Sequence, residues 1–130
     1  MMDGLISLLH LGAFFVVLVS ILKSEDSWLK LFYVSLTANA LVLFYGFGQL
    51  LGVAEIHQVG VRLDASLGNA AYLATYCLFP VFIAGSLFFR PRSLGWFFVF
   101  SLISNLVILY FTTTTGAIPG LVAGAFLALV

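Results

Sequence analysis

Apolar residues in this chain come in long runs separated by short polar breaks. The first run, Leu5–Leu22, is interrupted by the polar side chains Ser7, His10 and Ser20, and ends at the charged link Lys23–Lys30. A second run follows over 31–54, then the polar link Glu55–Asp64, then a third run over 65–89. Arg90-Pro91-Arg92 stops that run, because proline cannot continue a helix and two arginines resist hydrocarbon. A fourth run, 94–111, opens with Trp96, and the threonines 112–115 and Gly116-Ala117-Ile118-Pro119-Gly120 precede the apolar end of the chain. About 20 mostly apolar residues cross a bilayer as a helix. The pattern therefore predicts an all-α integral membrane protein, a single transmembrane domain over 1–130, with helices at about 5–22, 31–54, 65–89, 94–111 and 114–130. Four of these are full spans. The fifth has only 15 residues from Gly116 onward, so it is either a helix that begins within the threonines or a short re-entrant piece.

Composition strengthens this expectation. The chain is 63% hydrophobic and 8% charged, against about 25% charged for a soluble domain. A net charge of zero, with no basic cluster, argues against a nucleic-acid partner. The first run is longer than a signal-peptide core, follows no basic residue and precedes no small-x-small cleavage site, so it is expected to be retained. Cys77 is the only cysteine and reads as a small buried hydrophobe.

Successive links fall on alternate sides. Lys23 and Lys30 thus share a side with Arg90 and Arg92, while the other side holds Arg62. The excess puts links 23–30 and 90–93 in the cytoplasm, and the N-terminus and the 55–64 link outside, in periplasm or lumen. Asp3, His10, Glu55, His57, Arg62 and Asp64 then gather at the outer face.

Helical spacing reveals several stripes. Ser35, Asn39, Val42, Gly46 and Gln49 share one face of the second helix; Asn69, Tyr72 and Tyr76 one face of the third; Ser101, Ser104 and Asn105 form a patch on the fourth. Gly116, Gly120, Gly124 and Ala128 recur every four residues on the fifth, a small-residue face that must meet another helix. Polar stripes serve either helix–helix hydrogen bonding or the lining of a path for water, protons or an ion. Asn39, in mid-segment, needs partners for its donors and its acceptor.

The pattern holds no Ser/His/Asp set, no phosphate-binding glycine loop and no zinc-protease motif, and it assigns no catalytic residue, no cofactor and no metal ligand. Asp64 precedes a predicted helix, where it would cap the free N–H groups of 65–68; the alternative is a proton relay with Glu55 or His57. Asp64, Glu55, His57, His10 and Asn39 are the candidate relay residues. Pro80 sits inside the third run, as a fixed bend or a small gating element.

Some local sequences resemble a known family. Leu36-Thr37-Ala38-Asn39-Ala40-Leu41 in the second helix, Leu63-Asp64-Ala65-Ser66-Leu67 at the start of the third and Phe89-Arg90 at its end, with a short charged first link, are similar to the short membrane subunits of Mrp-type multisubunit cation/proton antiporters. Related subunits occur in membrane-bound hydrogenases and the respiratory complex I lineage. The similarity covers 5–90. A Gly-Pro and Asp-Arg pattern in the first link is missing, the second helix lacks the buried carboxylate that complex I relatives use, and two further helices follow. The resemblance implies an accessory or scaffolding role more than a proton path.

The expected function is a small accessory subunit of a larger ion-translocating or energy-converting complex. Its partners would be the lipid bilayer and other membrane subunits. The alternative is a self-contained homo-oligomeric transporter or channel whose glycine face meets its own copy. A third option is a haem- or metal-binding membrane protein using His10 and His57.

Overall fold

The computed structural model describes residues 2–57, 62–89 and 95–129, and of Met2, Asp3, Ala128 and Leu129 it describes the backbone only. Arg90, Pro91 and Arg92, with the side chains of Asp3 and Ala128, therefore lie outside the described residues. Within them the chain is all-helical: α1 (Met2–Ile21), α2 (Glu25–Leu50), a single 3-10 turn (Ala65–Leu67), α3 (Ala70–Phe88), α4 (Gly95–Phe111) and α5 (Ala117–Leu129). Contacts divide the chain into two compact units, residues 1–34 and 35–130.

In the first unit, α1 has 20 residues, about 30 Å of helix and the thickness of a hydrocarbon core. None of its described residues is buried, and apolar side chains cover its whole circumference. Its polar side chains turn back on the helix: Ser20 Oγ donates to the Val16 carbonyl at 2.7 Å, and His10 Nδ1 lies 2.8 Å from the Ile6 carbonyl oxygen. Such back-bonding hides polar groups from an apolar surrounding.

The second helix begins earlier than its hydropathy predicts, at Glu25 instead of Leu31. Ser24 caps it, its Oγ accepting from Ser27 N at 3.2 Å, and Glu25 and Asp26 fill the first turn, where carboxylates favour the helix dipole. It also stops short of the predicted Ala54. Gly52 has φ 73°, and Val53 N and Gly52 N donate back to the Gly48 and Gln49 carbonyls at 2.9 and 3.1 Å. That pair of bonds around a left-handed glycine is a Schellman stop.

In the second unit, the buried side of α2 consists of Leu36, Asn39, Leu43, Gly46 and Gln49. A Cβ on Gly46 would stand 3.1 Å from Ile108 Cδ1 and 3.8 Å from Ala65 Cβ, so glycine lets α2 close on α4 there. The core joins Leu43, Leu63, Ala65, Leu73, Ala74, Cys77, Ile108 and Leu109. Helix α3 packs most extensively on α4, and they run antiparallel: Gly85 lies near Leu102, and the far end brings Thr114 to Ala70. Pro80 is accommodated inside α3. The predicted polar stripe of α3 is not its buried side, which is Ala70, Leu73, Ala74, Cys77, Pro80, Val81, Ala84 and Leu87; Tyr72 is 68% exposed.

Helix α5 begins after the threonines, at Ala117, and has 13 residues, about 20 Å. It runs parallel to α3. A Cβ at Gly120 would stand 3.3 Å from Leu78 Cδ1, and one at Gly124 would collide with the Phe82 ring; Gly116 has nothing within 4 Å. Helix α4 has 17 residues. Among the described residues three helices, α1, α2 and α3, are by length and composition long and apolar enough to cross a membrane, and α4 and α5 are shorter apolar helices.

Candidate functional site

The link after α2 folds back onto the end of that helix and is held there by one side chain. Gln49, on the last turn of α2, is 4% exposed and uses both ends of its amide. Its Nε2 donates to the Glu55 carbonyl and to Asp64 Oδ1, each at 2.6 Å. Its Oε1 accepts from Ala65 N at 2.8 Å and Asp64 N at 3.3 Å.

Asp64 is wholly buried. A buried carboxylate is tolerated only when hydrogen bonds replace its hydration, and this one has them on both oxygens. Oδ1 accepts from Gln49, and Oδ2 accepts from His57 N at 3.0 Å. The His57 imidazole, 55% exposed, places Nδ1 3.5 Å from Oδ2. His57 thus touches both the carboxylate and solvent. Ala65 takes a left-handed backbone, φ 45°, a conformation that costs an alanine on the order of 1 kcal/mol and is fixed here by its bond to Gln49 Oε1.

Arg62 forms a second anchor. Its Nε donates to the Thr112 carbonyl at 3.0 Å and its Nη2 to Thr114 Oγ1 at 3.1 Å. The Thr114 hydroxyl lies 3.4 Å from both the Ala70 and Thr112 carbonyls. Leu63 N donates to the Phe111 carbonyl at 3.4 Å. The link is therefore tied to the turn between α4 and α5 as well as to α2.

The structure brings together Asp64 and His57 and the backbone of Glu55, whose side chain is exposed. It does not bring Asn39 to them: ten residues of α2 separate it from Gln49, about 15 Å. His10 belongs to the first unit. Among the described residues no group of three or more His, Cys, Asp or Glu side chains could hold a metal ion. The expected Asp64 cap is not formed, since its side chain makes no capping bond to the 3-10 turn. Gly68, at φ 67°, separates that turn from α3, and Asn69 does the capping, its Oδ1 accepting from Ala71 N at 2.8 Å. The sequence pattern carries Gln49 only as a member of the α2 stripe, and Thr112 and Thr114 only as part of the threonine run before α5.

His57→Ala should cost less than about 1 kcal/mol, the range of exposed charge pairs, because the backbone N–H keeps its bond to Asp64. Thermal unfolding followed with a fluorogenic thiol reagent on Cys77, which is fully buried, measures this. A loss of about 3 kcal/mol, the cost of stripping a buried charged group of its partner, would mean that the imidazole, not the backbone, holds the carboxylate.

No family model matches the chain, and neither the curated proteins nor the solved structures contain a match to it.

Proposed function

We propose that this chain is an integral membrane protein that serves as a small accessory subunit of a larger ion-translocating or energy-converting assembly. The observation that carries the reading is α1, a 20-residue helix with apolar side chains on every side and none of its described residues buried. In water such a surface would be strongly unfavourable at about 25 cal/mol per Å²; in lipid, or against apolar helices of partner subunits, it is at no disadvantage. The excess of Lys23, Lys30, Arg90 and Arg92 over Arg62 supports placing the 55–64 link outside.

The similarity to short antiporter subunits supports the accessory role. Asp64 fits that role too: a carboxylate with both oxygens engaged holds the link in shape, and His57 offers a route by which a proton from the outer side could reach it. The homo-oligomer reading relied on the glycine face of α5, and Gly120 and Gly124 are occupied by Leu78 and Phe82 of the same chain. This weighs against that reading at these two positions.

Alkaline carbonate should leave the chain in the membrane, and mild detergent should release it in a particle much larger than 14.1 kDa that contains different membrane subunits. Release by carbonate would refute membrane integration. A stable monomer, or a pure homo-oligomer with cation flux in liposomes, would refute the subunit role.

A further inference from the structure

Away from the link, α2 and α4 each bury an asparagine that the chain does not satisfy. Asn39 and Asn105 are both fully buried. Asn39 has no hydrogen-bond partner on either Nδ2 or Oδ1, and Asn105 has none on Oδ1. The Asn105 Nδ2 group is engaged on its own helix, donating to the Ser101 carbonyl at 2.8 Å and lying 3.5 Å from Ser101 Oγ.

Helical register puts these groups within about one turn, ~5.4 Å, of each other along the bundle. Gly46 faces Ile108, and a cleft of about 160 Å³, which neither asparagine lines, is bounded by Leu36, Ala40 and Leu43 of α2 together with Phe97, Phe100 and Ser101 of α4. Residue numbers rise together on the two helices, so they run parallel. Stepping back equally from Gly46 and Ile108 leads to Asn39 and Ser101, with Asn105 one turn further along α4. Leu36, Ala40 and Leu43 are the helical neighbours of Asn39.

The unsatisfied atoms specify what belongs between them. Asn39 presents N–H donors and a carbonyl acceptor, and Asn105 presents a carbonyl acceptor. An occupant must therefore accept and donate. A metal cation cannot accept, and a carbonyl ligand such as a quinone ring cannot donate. Water does both. The penalty for leaving buried polar groups unpaired exceeds the entropy lost in immobilising a water, so the exchange favours hydration. We propose that Asn39, Asn105 and Ser101 form an internal hydration site in which at least one ordered water bridges α2 and α4, accepting from Asn39 Nδ2 and donating to Asn105 Oδ1. The site makes the helix pair a wet joint. It does not depend on partner subunits.

X-ray radiolytic labelling of the purified full-length protein, in whatever assembly it is extracted, tests this, because bound water generates hydroxyl radicals in place. Leu36 and Leu43 are 1% and 5% exposed, and Leu73, on α3, is 0% exposed and serves as an internal reference. Leu36 and Leu43 should be oxidised several-fold faster than Leu73, and the double variant Asn39→Leu/Asn105→Leu should remove the excess. Equal labelling of the three leucines in the unaltered protein would mean a dry interface with directly paired amides, and would overturn the proposal without any variant. A rise in Tm in sodium chloride over choline chloride that Asn39→Leu abolishes would overturn it in favour of a cation site.

Discussion

Gln49→Leu is expected to be the most damaging single substitution in the link. It removes four hydrogen bonds at once, those to the Glu55 carbonyl, Asp64 Oδ1, Asp64 N and Ala65 N. Not all are equally costly. The Glu55 carbonyl is near solvent and can recover a water, and the 3.3 Å bond to Asp64 N is long. The other two leave a buried carboxylate oxygen and a buried backbone N–H bare, each at about 1–3 kcal/mol, with the larger figure for the charged group. A total of about 4 kcal/mol is expected, a large fraction of a typical stability of about 5–15 kcal/mol. Asp64→Asn should cost less, about 1 kcal/mol. The asparagine can still accept from Gln49, but its NH₂ then faces the His57 N–H. The thiol reagent on Cys77 should therefore report unfolding far earlier for Gln49→Leu than for Asp64→Asn. If the two variants melt together, Gln49 is not the residue that holds the link.

Gly124→Leu should separate α5 from α3. Even a Cβ at that position collides with the Phe82 ring, whereas Gly120 meets Leu78 at 3.3 Å and Gly116 meets nothing within 4 Å. Overpacking of this kind costs about 1–3 kcal/mol, and Phe82 lines a cleft shared with Gly85, Leu102 and Leu121, so the ring has space to retreat and limit the cost. The order of damage is the decisive quantity: Gly124→Leu above Gly120→Leu, and Gly120→Leu above Gly116→Leu. Phe82→Ala introduced with Gly124→Leu should restore most of the loss. Equal damage at Gly116 and Gly124, read by the same Cys77 melt, would place the glycine face against something other than α3.

Periodicity made much of this architecture readable, and local chemistry explains where it misled. Apolar run length located all five helices, yet it put the start of α2 at Leu31 because it discounts charged residues. Ser24-Glu25-Asp26 is a capped, dipole-matched first turn that extends the helix despite its polarity. The early end of α2 was signalled by Gly52, a residue that averaging over hydropathy passes over. At the start of α3, adjacency favoured Asp64 as cap, but the pair Gly68-Asn69 carried the true punctuation, a left-handed residue followed by a strong N-cap. The buried face of α2 was visible as a stripe. That Gln49 should turn to Asp64 was not, because a pair 15 residues apart across an irregular link has no period to reveal it. The same holds for Arg62 and the threonines.

The Arg62 anchor has a consequence for how the protein is made. Its two acceptors lie 50 and 52 residues further along the chain, so at about 5–20 residues per second the ribosome needs roughly 3 to 10 seconds to supply them. Gln49 is already waiting when Asp64 emerges, but the guanidinium is not matched until α4 and its closing turn have been delivered. During that interval the link is fastened at one end only. Any quality-control protease that reads incompletely folded chains has this window in which to act, and it closes when Thr112 and Thr114 arrive.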